Sequence, residues 1–267
     1  MPARHVFVLP AFGAPAWIER CLDSIEQQTC RSAVIVTTST PNDYLRAITE
    51  RRRLPLVVNP ESRGIAADWN FALARGEAKW VTVAHQDDWY DPRYVELALD
   101  YADAVRDAIL LFTHATERVD DASADVMNAH VKRILTNLAF GRRRTIRSRF
   151  RKRILLAFGN PIPCPSVMIN RDRNPDFRFP DGWKSNLDWR AWVMLARIDG
   201  SFVRVPRPLV HRTLHRDAAT TQSLGARAVE DDRMFRELWP SPIAFVLRHV
   251  YSASRRPYSK LKTDAVR

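Results

Sequence analysis

Two adjacent carboxylates, Asp87 and Asp88, follow a short apolar run at residues 80–84. Five mostly apolar residues are too few for a helix and are typical of a buried strand. Ligands of open α/β sheets bind outside the carboxyl ends of strands, so this pair could bring a phosphorylated ligand and a divalent cation together. Asp91-Pro92 follows, and such a cluster is also a common turn and helix start. The pattern alone leaves both interpretations open.

A third carboxylate, Asp188, lies in the first turn of a helix predicted over residues 187–196. The positive end of the helix dipole favours a carboxylate there, and a first-turn Asp is ordinarily a cap. His211 and His215 are four residues apart and could bind a metal from one side of a helix. The neighbouring Pro206 and Pro208 instead predict a loop, in which a solvated or structural histidine is the default.

Alternating strands and helices must position these residues. Strands are predicted at 6–9, 33–36, 56–59, 80–84, 109–113 and 201–205, and residues 166–169 are a further apolar stretch. Helices are predicted at 15–28, between 43 and 53, and at 64–74, 94–105, 187–196, 226–238 and 243–251. This order predicts an α/β fold with a mostly parallel central sheet, helices on both faces and a helical C-terminal extension.

The composition limits the class of protein. With 267 residues, 46% hydrophobic and 27% charged, the chain can form one large α/β domain or two small ones. The net charge of +12 indicates an anionic partner, which could be nucleic acid, a sugar nucleotide or an acidic membrane surface. Three cysteines without Cys-x-x-Cys spacing indicate neither a disulfide framework nor a zinc site, which fits a reducing cytosol. We expect no signal peptide and no membrane span.

A concentrated basic segment occupies residues 142–153. Such a run is usually a solvated face or loop, and the alternatives are binding of anionic lipid or of a polyanionic acceptor. No recognisable nucleic-acid module accompanies the charge, so nucleic acid is the weakest of these partners. The proline-rich stretch 160–165 predicts a turn between two halves of the molecule.

Taken together, these stretches resemble a family 2 glycosyltransferase with the GT-A (Rossmann-like) fold, over nearly the entire chain. The matching pieces are 6–10, 21–29, 59–70, His85-Gln86-Asp87-Asp88, Leu187-Asp188-Trp189, and His211-Arg212 with His215. The resembling branch carries Ser39-Thr40-Pro41-Asn42 and Asp68-Trp69-Asn70. The order and the separations of these stretches make the resemblance more specific than any single stretch does.

The resemblance implies transfer of a sugar from a nucleotide-diphosphate donor to a hydroxyl of a glycan or glycolipid, with inversion at the anomeric carbon. It assigns Asp188 as the general base and Asp87, Asp88 and His215 as ligands of Mg²⁺ or Mn²⁺. The residues expected to bind the donor are Pro10, Ser39, Arg63, Asp68, Asn70 and Asp87. Those expected to stack on the acceptor are Trp89, Trp183 and Trp189, although such tryptophans more often pack in the core.

The sequence departs from the family pattern at three places. Residues 37–42 replace the acidic loop that usually holds the nucleobase, His85 replaces the first Asp of the usual Asp-x-Asp, and Leu187 replaces the acidic neighbour of the base. The lost nucleobase Asp motivates an alternative, a non-catalytic scaffold of this fold that binds an anionic membrane or partner. A nucleic-acid binder is a third hypothesis, and a glycosidase fits poorly because adjacent carboxylates cannot flank a glycosidic bond.

The predicted organisation is a single GT-A domain. Residues 1–115 form its nucleotide-sugar half, 116–222 its acceptor half with the basic segment, and 223–267 the C-terminal helices and basic tail. We expect a cytoplasmic protein of cell-envelope polysaccharide biosynthesis, with a peripheral position on the inner face of the membrane as a further option.

Overall fold

The computed structural model describes residues 3–61, 63–119, 122–123, 126–213 and 224–253. Its strands are β1 (Ala3–Ala11), β2 (Ala33–Thr38), β3 (Leu56–Val58), β4 (Ala78–Val83), β5 (Trp89–Tyr90), β6 (Ala108–Val119), β7 (Ala122–Ser123), β8 (Thr145–Ile146), β9 (Val167–Asn170) and β10 (Ser201–Thr213). Its helices are α1 (Ile18–Glu26), α2 (Asp43–Arg52), α3 (Ile65–Leu73), α4 (Tyr94–Asp103), α5 (Val126–Phe140), α6 (Arg149–Ala157), α7 (Leu187–Ala196), α8 (Leu224–Leu238) and α9 (Ser241–Ala253), and a 3₁₀ turn spans Cys164–Ser166.

One sheet runs through the described molecule in the order β3-β2-β1-β4-β9-β6-β10-β5. The strands β3, β2, β1 and β4 are parallel, and β10 is parallel to β6. Strand β9 pairs antiparallel with both β4 and β6, so it lies between the two parallel groups. The carboxyl ends of β4, β6 and β10 therefore meet at the same edge of the sheet.

Each face of the sheet carries a hydrophobic core. On one side, α1, α2 and α4 pack against strand residues such as Phe7, Trp80 and Leu111. On the other, α3, α6, α7 and α8 pack against Val8, Val81 and Phe112. Alternate residues of β1 and β4 thus enter opposite cores, which explains why these strands are apolar on both faces. The predicted mostly parallel α/β sheet with helices on both faces is confirmed.

One local prediction was wrong, and a helix was missed. The loop expected around Pro206 and Pro208 is part of β10, whose pairing with β6 shifts register beside Pro208. Such an irregularity accommodates proline because the ladder is already interrupted there. Helix α5 was not predicted at all.

The basic segment forms the short strand β8 and the first half of α6. Its arginines are exposed, but Lys152 is buried. The Lys152 ammonium donates hydrogen bonds to the carbonyl oxygens of Ile198 and Gly200, at 2.7 and 3.0 Å. These carbonyls follow the end of α7, where a cation is favoured.

Among the described residues, no helix is long and apolar enough to cross a bilayer.

The turn that joins α7 to β10 depends on Gly200. Its φ is +118°, and a Cβ there would lie 2.3 Å from Ile109 Cγ2 and 2.9 Å from the Asp107 carbonyl oxygen. Because Ile109 belongs to the packed start of β6 and Asp107 immediately precedes that strand, they cannot move without disturbing the sheet. Gly200 thus permits the close approach of the helix that carries Asp188 to the sheet.

We expect Gly200→Ala to lower the free energy of unfolding by about 3 kcal/mol, through the clash and the unfavourable φ. The control is Gly182→Ala, because Gly182 also has a positive φ, +75°, but has open space around it. Its cost should be about 1 kcal/mol. Denaturant unfolding measures both values, and equal losses would contradict the role of close packing at Gly200.

Candidate active site

Asp88 lies just beyond β4 and is 3% exposed. Its Oδ1 accepts a hydrogen bond from the backbone N–H of Thr213 at 3.0 Å. Its Oδ2 lies 3.5 Å from His85 Nδ1. The carboxylate therefore joins the end of β4 to the end of β10. Burial raises the pKa of Asp88 well above its usual range and the charge of Asp87 raises it further, whereas Arg212 and the Thr213 N–H lower it.

His85, Asp87 and Asp88 form a cluster that fits a divalent cation. One potential ligand atom from each lies within 4.8 Å of the others. Burial lowers the pKa of His85 to about 4, so its ring is neutral at pH 7 and one nitrogen carries the lone pair that a metal ligand requires. Carboxylate oxygens are the ligands that Mg²⁺ and Mn²⁺ prefer. The residue that departs from the family pattern thus joins the cluster as a potential ligand.

Arg212 is the cation beside this cluster. Its guanidinium donates to Glu117 Oε1 at 3.2 Å, and Lys132 Nζ lies 2.5 Å from the same oxygen. Glu117 is buried on β6, so it holds Arg212 in place. The positive charge of Arg212 lowers the pKa of His85, of Asp88 and of Asp188. One arginine therefore acts on both groups of candidate carboxylates.

Asp188 is partly buried in the first turn of α7. Its Oδ2 accepts a hydrogen bond from Asn160 Nδ2 at 2.8 Å, and its Oδ1 accepts one from the backbone N–H of Trp189 at 2.7 Å. Burial raises the pKa of Asp188, and the Trp189 N–H and the charges of Arg212 and Arg227 oppose the rise. A carboxylate with a raised pKa accepts a proton more readily at neutral pH.

The turn at residues 160–166 connects Asp188 with the Asp88 region. Asn160 at its start holds Asp188, and the Pro165 carbonyl near its end accepts a hydrogen bond from the Tyr90 hydroxyl at 2.9 Å. Between them lies the buried thiol of Cys164, whose pKa is raised by burial and then by the charges of Asp188 and Asp88. The charges of Asp188 and Asp88 therefore both act on the thiol in the middle of this turn.

The residues predicted to bind the donor lie near the carboxyl ends of β1 to β4, except Asp68 and Asn70, which belong to α3. Asp68 accepts hydrogen bonds from Ser39 Oγ at 2.9 Å and from Asn59 Nδ2 at 2.8 Å. Pro10 is half-buried on β1, opposite Thr37 of β2. Arg63 is exposed and pairs with Glu61 at 3.1 Å.

Asn70 is engaged elsewhere. Its side-chain amide exchanges two hydrogen bonds with the backbone of Phe179, at 2.9 and 2.7 Å. The side chain thereby fixes the chain before Trp183, and the structure brings it to this backbone rather than to the polar cluster of Ser39 and Asp68.

The three tryptophans predicted to contact the acceptor occupy different environments. Trp189 is 0% exposed and donates its indole N–H to the Leu156 carbonyl, which contradicts a stacking role. Trp183 is buried at 7% exposure, and the Arg233 guanidinium lies 4.3 Å from its ring. Trp89 is partly exposed, with the Arg20 guanidinium 3.5 Å from its ring and His211 stacked on it. A role in acceptor binding remains a prediction for Trp89.

Several site residues carried no prediction. Arg212 belongs to the His211-Arg212 pair, but the sequence predicts no role for it. Asn160 belongs to the proline-rich turn, and nothing in the local sequence predicts its contact with Asp188. The predicted metal ligand His215 lies outside the described residues.

Glu230 of α8 holds the segment that precedes Asp188. Its carboxylate accepts the backbone N–H groups of Lys184, Ser185 and Asn186 at 2.6, 2.9 and 2.8 Å. The next residue, Asp231, accepts the Asn186 side-chain amide at 2.6 Å. Since α7 begins at Leu187, the buried Glu230 caps its start from another helix.

Comparison with known proteins identifies the family. The model of the family described as Glycosyl transferase family 2 matches residues 6–173, which is more than half of the chain. The chain belongs to glycosyl transferase family 2.

A curated relative, Glycosyltransferase GlyA of Streptococcus pneumoniae serotype 4, is 28% identical over 94 residues. That match covers 33% of this chain and 14% of GlyA, so the chain corresponds to a small part of that relative.

Solved structures share the fold. S. aureus TarS 1–349 has a TM-score of 0.62 at 17% identity, covering 94% of this chain and 73% of that one. S. aureus TarS 1–349 in complex with UDP-GlcNAc has a TM-score of 0.62 at 16% identity, and the match covers 88% of this chain and 71% of that one. Mannosyltransferase PcManGT from Pyrobaculum calidifontis, in complex with GDP-Man and Mn²⁺, has a TM-score of 0.60 at 17% identity, and the match covers 99% of this chain and 79% of that one. The architecture is thus the GT-A fold.

We expect Glu230→Ala to lower the free energy of unfolding by about 2–4 kcal/mol, because three backbone N–H groups lose their acceptor. The matched control is Glu237→Ala on the same helix, which also contacts α7, through Arg190 and Arg197. Its partly exposed ion pairs should cost about 1 kcal/mol or less. Chemical denaturation compares the two, and a larger loss for Glu237→Ala would contradict the capping role.

Proposed function

We propose that this protein is a metal-assisted, inverting glycosyltransferase that moves a sugar from a nucleotide-diphosphate donor to a hydroxyl of a glycan or glycolipid. The observation that carries the proposal is the placement of Asp188 and Asp88 around one turn and one arginine. A displacement at an anomeric carbon needs a base on the side of the attacking hydroxyl and positive charge on the side of the leaving diphosphate. Asp188 would act as the base, and the His85–Asp88 cluster would hold the cation that supplies the positive charge.

At the leaving-group side, His85, Asp87 and Asp88 would hold Mg²⁺ or Mn²⁺, which supplies charge neutralisation to the diphosphate when it is bound. Asp87 is also the candidate residue for binding the ribose of the nucleotide. Arg212 adds a permanent positive charge, which Glu117 keeps in position. His215, which the family resemblance gives as a metal ligand, is assigned from the sequence motif alone.

At the acceptor side, Asp188 takes the proton of the attacking hydroxyl. The acceptor oxygen forms its bond to the anomeric carbon as the bond from that carbon to the diphosphate oxygen breaks. A single displacement of this kind inverts the configuration. Asn160 and the Trp189 N–H orient the carboxylate through its two oxygens.

The donor class is supported by the neighbours in fold space, since TarS is described with UDP-GlcNAc and PcManGT with GDP-Man. Ser39 and Asp68 are the proposed polar contacts of the nucleoside, and Pro10 and Arg63 are further proposed donor contacts. Residues 37–42 lack an acidic side chain, so the base must be read by other groups than the usual Asp. We propose a cytoplasmic location, where nucleotide sugars are made.

We expect Asp188→Asn to lower turnover by at least 100-fold while nucleotide binding persists, because the amide cannot accept the proton. The control Asp181→Asn, at an exposed carboxylate, should keep activity. Binding is followed by the thermal shift with UDP, GDP, CDP or dTDP, each with and without Mn²⁺ or Mg²⁺. Asp87→Asn should abolish the metal-dependent part of the shift.

A wild-type protein that is folded but shows no shift with any of these nucleotides would instead favour the non-catalytic scaffold. Full turnover by Asp188→Asn would remove Asp188 from the mechanism while leaving the transferase proposal in place.

A pH profile tests the environment of the base. Since burial raises the pKa of Asp188, the acid limb of kcat/KM should lie above the ordinary carboxylate range, with activity rising as Asp188 loses its proton. Asn160→Ala removes a hydrogen bond that favours the charged carboxylate, so it should move this limb to higher pH. The control Asn137→Ala removes an amide that contacts Arg204 instead. A limb that moves equally in both variants would contradict the assignment.

A further inference from the structure

The dipeptide Phe12-Gly13, which follows β1, is held at all four of its backbone polar groups. The Phe12 N–H donates to Gln86 Oε1 at 2.8 Å, and its carbonyl accepts from Gln86 Nε2 at 3.5 Å. The Gly13 N–H donates to Thr40 Oγ1 at 2.7 Å, and its carbonyl accepts from Asn42 Nδ2 at 2.9 Å. The Phe12 residue is 62% exposed. The dipeptide is therefore fixed by hydrogen bonds to its backbone rather than by burial.

The side chains that hold this dipeptide come from two motifs of the sequence. Thr40 and Asn42 belong to residues 37–42, which stand in place of the acidic loop that usually holds the nucleobase. Gln86 lies between His85 and Asp87, which are both members of the candidate cation cluster. The dipeptide therefore connects the cation motif with the loop after β2.

The cation motif is a single turn. Residues 85–88 are closed by a hydrogen bond from the Asp88 N–H to the His85 carbonyl at 3.2 Å. Gln86 and Asp87 occupy the two central positions. The candidate cation ligands are the first, third and fourth residues of this turn. A cation bound by all three would stiffen the turn and fix the direction in which the Gln86 side chain points.

We propose that Gln86 is a positioning residue through which a cation at His85, Asp87 and Asp88 strengthens binding of the nucleoside. The cation holds the turn, Gln86 holds Phe12-Gly13, and this dipeptide with residues 39–42 forms one wall of the nucleoside pocket. The inference rests on the proposed function, because it concerns the donor site of that reaction. The effect is reciprocal, so the nucleoside raises the affinity for the cation by the same factor.

Hydrogen exchange of the full chain with Mn²⁺ alone tests the connection. In the wild type, Mn²⁺ should slow exchange in peptides that contain Phe12-Gly13 as well as in those that contain residues 85–88. In Gln86→Ala the slowing at residues 85–88 should persist, and the slowing at Phe12-Gly13 should be lost. Gln86→Asn should show the same loss, because it keeps an amide on a shorter side chain.

The matched control is Gln27→Ala, at an exposed glutamine that follows α1. It should respond to Mn²⁺ as the wild type does. Thermal unfolding of every variant in parallel shows whether it is folded.

Calorimetric titration with UDP, GDP, CDP and dTDP, each with and without saturating Mn²⁺, measures the size of the effect. For the nucleotide that binds, the ratio of the dissociation constants without and with Mn²⁺ should fall about fivefold in Gln86→Ala. A glutamine that only stabilises the loop would weaken binding by the same factor in both conditions and leave this ratio unchanged.

Two results would overturn the proposal. One is Mn²⁺ that leaves exchange at Phe12-Gly13 unchanged in the wild type, and the other is an equal ratio in Gln86→Ala and the wild type. Failure of the proposed transferase activity gives a different result, in which none of the four nucleotides binds to the folded wild type. The exchange experiment with Mn²⁺ alone then still decides whether Gln86 connects the turn to the dipeptide.

Discussion

The hydrogen bond from the Thr213 N–H to the buried carboxylate of Asp88 joins the ends of β4 and β10, strands that are not neighbours in the sheet. A buried carboxylate is costly unless hydrogen bonds and opposite charge compensate it. That requirement fixes where β10 must end and therefore where Arg212, one residue earlier, lies. Glu117 of β6 then orients Arg212, so three strand ends form one electrostatic unit. Asp188 approaches this unit from a different helix, through the turn at residues 160–166.

The parts of this architecture that depend on local pattern were predictable. Apolar runs ending in polar residues located β1 to β4 and the Asp87-Asp88 pair, and the first turn of α7 located Asp188. Asn160, Arg212 and Glu230 were not recognised because each acts on a residue far away in the chain, and no local pattern records that. The prolines of β10 predict a loop for a related reason, because only the pairing with β6 shows that they coincide with a shift in register.

The tryptophans also show that local sequence does not reveal the contacts a residue makes in the fold. Trp89, Trp183 and Trp189 have the same chemistry, and their positions near motifs predicted a common role. Their environments differ because helix α7 turns Trp189 into the core while β5 leaves Trp89 beside the arginines of the surface. The residue type determines which interactions a side chain can make. Whether it makes them depends on its burial, which follows from packing between elements that are distant in sequence.

Strand β9 has a consequence for the order of assembly. It pairs Val81 with Ile169 and Leu110 with the same Ile169, and thereby links β4 to β6. Strands β1 to β4 can pair with each other as soon as they leave the ribosome, but β6 has no neighbour in that group until residues 167–170 have been synthesised. Such distant pairings are slow to form. The edge of β4 that β9 covers therefore lacks this partner during the synthesis of about a third of the protein, and an unpaired strand edge is a template for pairing with another chain.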